Sequence, residues 1–176
     1  MMKYELTDET ITHCGHTLHR IRALRDFDNV KKGDLGGFIE SEGNLSHEGN
    51  CWVFDNAEVY GDAEVYGDAR VFGKAQVYGD AEVYGDAQVS DNAQVFGDAR
   101  VERTSDYIVF KNWWSSGRHF TWTRSNNMWT VGCFYGTGDK LIAKAYKDSE
   151  KSGREYERVV KYVESILADE QKGNEE

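Results

Sequence analysis

From Val53 the chain repeats a six-residue unit eight times, VFDNAE, VYGDAE, VYGDAR, VFGKAQ, VYGDAE, VYGDAQ, VSDNAQ and VFGDAR. Val stands first and Ala fifth in every copy. Strict self-similarity at a fixed period restricts the fold more than any local propensity does. The frame extends backward, more loosely, through HEGNCW from His47, SEGNLS from Ser41 and LGGFIE from Leu35. Forward, VERTSD from Val101 keeps the Val and loses the Ala, so twelve hexads span Leu35 to Asp106.

Two architectures use such a unit. In one, AEVY is a strand and Gly-Asp a two-residue hairpin turn, giving an antiparallel meander. Its inner face would be Val and Ala alone on four-residue strands with no second layer, too little apolar surface to stand by itself. In the other, each hexad is one side of a triangular coil. Val and Ala point inward, and the Gly-Asp or Asp-Asn pair turns the corner, where positive φ is needed and these residue types tolerate it. A narrow prism explains why the Ala never grows larger. The expected fold is therefore mainly β: a parallel β-helix of about four triangular coils, each strand stacked on its copy 18 residues away. At ~4.8 Å per coil the rod is roughly 19 Å long.

Stacking sorts the outward residues into columns. One face carries Phe54, Phe72 and Ser90, the second Tyr60, Tyr78 and Phe96, the third Tyr66, Tyr84 and Glu102, and Asp62, Asp80 and Asp98 align at a corner. Tyr60, Tyr78, Phe96, Tyr66 and Tyr84 are candidates for an interaction surface. Stacked rings also stabilise a solenoid without any partner. The repeat region holds fifteen acidic and four basic side chains, whereas the flanks are close to neutral. An acidic rod repels phosphate backbones, which argues against generic nucleic-acid binding.

Residues 1–34 form an N-terminal β cap, with strands expected at Lys3 to Leu6, Thr10 to His13 and Thr17 to Leu24 and a turn at Cys14-Gly15. His13, His16 and His19 lack the fixed geometry and companion ligands of a metal site, so no metal or cofactor is expected. Arg20, Arg22, Arg25, Lys31 and Lys32 form a basic cluster, either an anion contact or a solvated face. Cys14, Cys51 and Cys133 are scattered and odd in number, which suits reduced thiols in a cytoplasmic protein. No apolar run approaches the ~18 residues of a membrane span, and the start has no signal-peptide core.

Residues 107–176 form a small C-terminal α+β domain. Strands are expected at 107–110, 119–123 and 128–136, a helix from about Asp139, a break near Ser152-Gly153, then an amphipathic helix through Tyr156, Val160 and Val163 and a polar tail that frays. Four Trp lie close together here with basic side chains. Trp113, Trp114, Arg118, His119, Trp122 and Arg124 are the candidate ligand-binding residues, since indole and guanidinium suit stacking a base and holding a phosphate. The same Trp residues also suit the core of a small domain. Gly136-Thr137-Gly138 before a helix is either an anion loop or a turn with an N-cap.

The VYGDA-type hexads resemble the hexapeptide-repeat, left-handed β-helix proteins, a family that includes acyltransferases and γ-class carbonic anhydrases. The resemblance implies left-handed winding and a homotrimer. Acyltransferases of the family use a catalytic His near the helix and often an inserted loop. The coils from Val53 to Asp106 contain neither, and His47, the only His of the rod, falls at an inward repeat position. No catalytic residue is therefore assigned. HRIRALRDF (19–27), KKGDLGGFIESE (31–42), the hexads and FTWTRSNNMWTVGCFYGTG (120–138) also resemble hexapeptide-repeat proteins of phages and prophages, which implies the cytoplasm of an infected or lysogenic bacterium. The function expected on these grounds is non-enzymatic: an anti-defence protein sequestering a small anionic nucleotide. The alternatives are an acidic protein-interaction module or DNA mimic, and a degenerate hexapeptide acyltransferase.

Overall fold

A computed structural model describes residues 1–175. Three longer strands open the chain, β1 (Tyr4–His13), β2 (His16–Ala23) and β3 (Leu35–Ile39). Nine two-residue strands follow, β4 (Trp52–Val53), β5 (Glu58–Val59), β6 (Glu64–Val65), β7 (Arg70–Val71), β8 (Gln76–Val77), β9 (Glu82–Val83), β10 (Gln88–Val89), β11 (Gln94–Val95) and β12 (Arg100–Val101). They stack in parallel as three ladders, β3-β5-β8-β11, β4-β7-β10 and β6-β9-β12, and make a β-solenoid of about four turns. In the regular coils each strand pairs with the one 18 residues on, Gln76 with Gln94 and Val77 with Val95. The antiparallel meander is thereby excluded. Amide bonds such as Glu58 N to Ala75 O (2.9 Å) and Tyr60 N to Val77 O (3.0 Å) tie one coil to the next.

The repeated Val and Ala fill the interior, essentially without exposure from Val53 to Val101. The third hexad position takes positive φ in every hexad from Gly49 to Gly97. Where the sequence writes Asp-Asn instead of Gly-Asp, Asp55 (φ 53°) and Asp91 (φ 60°) adopt the left-handed conformation themselves, which Asp tolerates better than most side chains.

The first coil departs from the expected frame. Ile39 pairs with Val59 and Leu45 bridges Val65, a separation of twenty residues, and normal register resumes with Val53 opposite Val71. Two extra residues therefore sit in the corner between Leu45 and Val53. Ile39, Leu45 and Val53 take the Val position, while Leu35 is exposed. His47 does not take the Val position and is half-buried, its Nε2 covered and without a hydrogen-bond partner. It lies in the enlarged corner, stacked on Tyr4 at 4.2 Å between ring centroids, with Nδ1 accepting the Lys3 amide at 3.1 Å.

At the N-terminal end β1 and β2 form an antiparallel hairpin through the turn Cys14-Gly15, both at positive φ, as a two-residue type I′ connection requires. The strands expected at 3–6 and 10–13 are one, interrupted by an irregularity between Leu6 and Thr10. β2 pairs with β3, so the hairpin extends one solenoid ladder into a six-stranded sheet. Lys3 and Tyr4 plug the open end of the solenoid. Lys3 is fully buried, its Nζ donating to Cys51 O (2.8 Å) and lying 3.2 Å from Cys51 Sγ.

At the other end β13 (Tyr107–Lys111), β14 (His119–Thr123), β15 (Met128–Val131) and β16 (Phe134–Gly136) form an antiparallel sheet in that order. The stretch 128–136 is two strands, folded back at Gly132-Cys133. Thr121 Oγ1 accepts Gln94 N at 2.9 Å and Ser125 Oγ accepts Arg100 N at 2.8 Å, so one face of this sheet closes the solenoid. The other face, with Phe120, Trp122 and Trp129, packs under α1 (Gly138–Asp148) and α2 (Glu150–Glu175). The helices break at Ser149, not at 152–153. Gly153 lies inside α2, where the Tyr146 ring covers its Cα. α2 carries the polar tail through Glu175 as helix.

Candidate functional site

Strand alternation separates His119 from Trp122 among the six predicted ligand-binding residues. Phe120 and Trp122 point from β14 into the helical core, and Trp122 is fully buried with Nε1 donating to Asn127 Oδ1 (2.8 Å). His119 points the other way, to the end of a polar groove of about 410 Å³ on the rod, among Glu58, Lys74, Gln76, Asn92 and Gln94. Arg124 is held by Glu170 (2.5 Å) and donates to Ser105 O (3.2 Å), with its guanidinium 5.5 Å from the Trp122 ring. Arg124 and the buried Trp122 thus meet each other, and His119 is separated from both.

Trp113, Trp114 and Arg118 do share one, the loop that leaves β13. Asn112 N bonds Arg118 O (2.8 Å), Gly117 N bonds Asn112 O (2.9 Å), and Asn112 Oδ1 accepts both Ser115 N (2.9 Å) and Ser115 Oγ (3.1 Å). Trp114 meets the Tyr156 ring edge-on at 4.9 Å and donates Nε1 to Ser152 Oγ (3.1 Å). Trp113 stays 68% exposed, its ring 5.9 Å from Lys151 Nζ.

Beneath this loop lies a cleft of about 390 Å³. Its floor is Tyr156, Val131, Phe134, Leu141 and Ala145, and its rim is Ser115, Ser116, Arg118, Lys144, Asp148, Ser149 and Ser152. Ser149 both closes α1, its amide bonding Ala145 O (3.1 Å), and caps α2, its Oγ accepting Ser152 N (3.0 Å). The first turn of a 26-residue helix, the positive end of its dipole, therefore borders the cleft. Asn112 Nδ2 donates to the Tyr156 hydroxyl at 3.4 Å. Burial pushes the Tyr156 pKa up, with Arg118 and Asp148 acting on it in opposite senses. Among the described residues Arg118, Lys144 and Asp148 form no ion pair.

The other candidates resolve into structural roles. Thr137 caps α1, its Oγ1 accepting Lys140 N (3.4 Å), and a Cβ on Gly138 would lie 2.6 Å from Val160 Cγ1, so Gly136-Thr137-Gly138 is a turn and close-packing device. In the basic cluster Arg20 pairs with Glu9 (2.8 Å), Arg22 with Glu5, and Lys31 with Asp26 (3.6 Å). His13 and His16 pair with Glu58 (2.7 Å) and Glu40 (2.9 Å), while His19 Nδ1 lies 3.1 Å from Thr7 O. Among the described residues no three His, Cys, Asp or Glu converge as metal ligands.

The aromatic columns differ in access. Tyr60, Tyr78 and Phe96 stack at 5.1 and 4.4 Å, and Tyr135 of β16 closes the column at 4.8 Å. Tyr60 is covered by the hairpin residues His13, His16 and Leu18. Tyr66 and Tyr84 stack at 5.1 Å and 6° on a ladder that neither cap covers, with Tyr66 OH donating to Glu82 (2.7 Å). Desolvation, followed by that bond, pushes the Tyr66 pKa up to about 12. Lys144, Asp148 and Ser149 were not singled out in the sequence, and Ser152 only as part of an expected helix break. The recurrent serines of 115–116 and 149–152 were the available signal, and it points to no chemistry until α1 and α2 fold back.

No helix among the described residues is long and apolar enough to cross a membrane. No curated protein matches the chain. A family profile described as YdcK beta solenoid repeat matches residues 75–91, on the most regular coils. Repeat profile, ladder register and buried Val-Ala interior agree on a β-solenoid repeat protein, mostly β, with a small helical part at its C-terminal end.

Proposed function

We propose that this is a non-enzymatic binding protein whose C-terminal cleft sequesters a small anionic ligand. One observation carries the reading: two cations without a carboxylate partner, Arg118 and Lys144, border a cleft of about 390 Å³ beside the start of α2. Cations, serine hydroxyls and a helix N-terminus together favour anions, and the volume is that of a small-molecule site. The non-enzymatic part rests on the hydroxyls. Ser115 donates to an amide and Ser152 accepts from an indole, so neither has a base to activate it.

Calorimetry with pyrophosphate, AMP and a cyclic dinucleotide tests the reading. Binding should weaken more than about tenfold in the Arg118→Ala, Lys144→Ala double variant, because each charged hydrogen bond contributes about 1.5–3 kcal/mol. Unchanged affinity in that variant, or turnover of acetyl-CoA by the wild type, would refute it.

A second reading, protein capture by the acidic rod, is favoured by the uncovered ladder. There Glu64 stands directly opposite Glu82, and the stacked Tyr66 and Tyr84 are both partly exposed. Capture of a basic partner should fall steeply between low and high salt, whereas a small-ligand site requires no protein. We also infer left-handed winding, a triangular cross-section and a trimer. Three ladders meeting at positive-φ corners support the cross-section, the family resemblance supports handedness and trimer, and diffraction with native mass spectrometry would test all three. The phage setting implied by the resemblance makes a host nucleotide the first ligand to try.

A further inference from the structure

We infer that the cleft takes a ribonucleotide, with Arg118 and Lys144 on its phosphate, Asp148 accepting its ribose diol and Trp113 against its base. This rests on the reading of the cleft as an anion site. A site for bare phosphate has no use for a carboxylate, which repels the ligand. Yet Asp148 lines the cleft, four residues after Lys144 on the same face of α1. Its two oxygens accept and never donate when ionised, so it suits a neutral group with two adjacent O–H donors.

Arg118, Lys144 and Asp148 line the same cleft as Tyr156, whose hydroxyl accepts Asn112 Nδ2 at 3.4 Å. The cations and the carboxylate therefore frame one small volume, as the two ends of one ligand would require. Trp113 supplies the third element. Its loop builds the rim, it projects 68% exposed, and its ring lies 5.9 Å from Lys151, in the same helical turn as Ser149 and Ser152. Trp113 does not itself line the cleft, but a solvent-facing indole on the loop that supplies Ser115, Ser116 and Arg118 is a stacking platform for a base that extends past the rim.

Calorimetry and tryptophan fluorescence on the full chain, with pyrophosphate, AMP and 2′,3′-dideoxyadenosine monophosphate, provide the test. AMP should bind at least about tenfold tighter than the dideoxy compound. Asp148→Asn should bring AMP to the dideoxy level and leave the dideoxy affinity unchanged, and Trp113→Ala should abolish the fluorescence response to AMP. Equal binding of AMP and its dideoxy analogue, or pyrophosphate binding without AMP, overturns the ribonucleotide assignment and leaves the anion cleft standing. No binding by any of the three overturns the cleft itself.

Discussion

Gly49 and Gly117 share a backbone conformation, φ +67° and +69°, in opposite surroundings. A Cβ on Gly117 would meet open space, whereas one on Gly49 would meet the Gly67 carbonyl oxygen at far less than contact distance. That oxygen accepts the Cys51 amide at 3.0 Å, so it belongs to the ladder and cannot rotate away. Alanine at positive φ costs about 1–2 kcal/mol, and the gain from stiffening the unfolded chain returns about 0.4–1 kcal/mol. Gly117→Ala should therefore cost about 1 kcal/mol. Gly49→Ala carries in addition the about 1–3 kcal/mol of overpacking, for a total of about 2–4 kcal/mol. With a urea slope of about 1–3 kcal/mol/M, the two midpoints should differ by roughly 1 M in urea melts followed by circular dichroism. Equal midpoints would refute the reasoning, and would show that the two extra residues beside Gly49 make its corner slack enough to absorb a methyl group.

Val83→Ala, in the middle of the solenoid, removes two fully buried methyl groups and should cost about 2–3 kcal/mol in the same melts. Asp98 is held below its ordinary value of 3.8, chiefly by the bond from Asn126 Nδ2 (3.0 Å). A carboxylate depressed on folding contributes stability above its unfolded pKa and loses it as pH falls through the folded value, so wild type should lose stability below about pH 4 and Asp98→Asn should flatten that slope in acid melts. Arg124→Ala should loosen the far end of α2, read by hydrogen exchange around Glu170, and leave ligand affinity unchanged. A loss of affinity there would return Arg124 to the site.

The solenoid was legible because its interior admits one Val and one Ala per side and nothing larger, so geometry is written directly as periodicity. The frame misled in the first coil. There Gly37, Ile39 and Leu45 replace the Val-Ala signature and a widened corner moves the register by two, which took His47 off the Val position and left it half-buried against Tyr4. The C-terminal site was half legible. His119 and Trp122 are three apart, and on a strand an odd spacing puts side chains on opposite faces, so nearness in sequence separated them in space. The cleft itself joins Arg118, Lys144, Asp148 and Ser152 from a loop and two helices. Only the fold-back at Ser149 brings them together.

The two caps are bolted to opposite ends of a screw thread. Because β11 sits 18 residues beyond β8 and in line with it, adding or losing three hexads changes the spacing between hairpin and C-terminal sheet by one strand width without turning either. A single hexad gained or lost would swing the C-terminal sheet onto a neighbouring ladder and take Tyr135 off the column that begins at Tyr60. Inheritance of this chain can therefore tune its length only in steps of three units, and every other change of length is also a rotation.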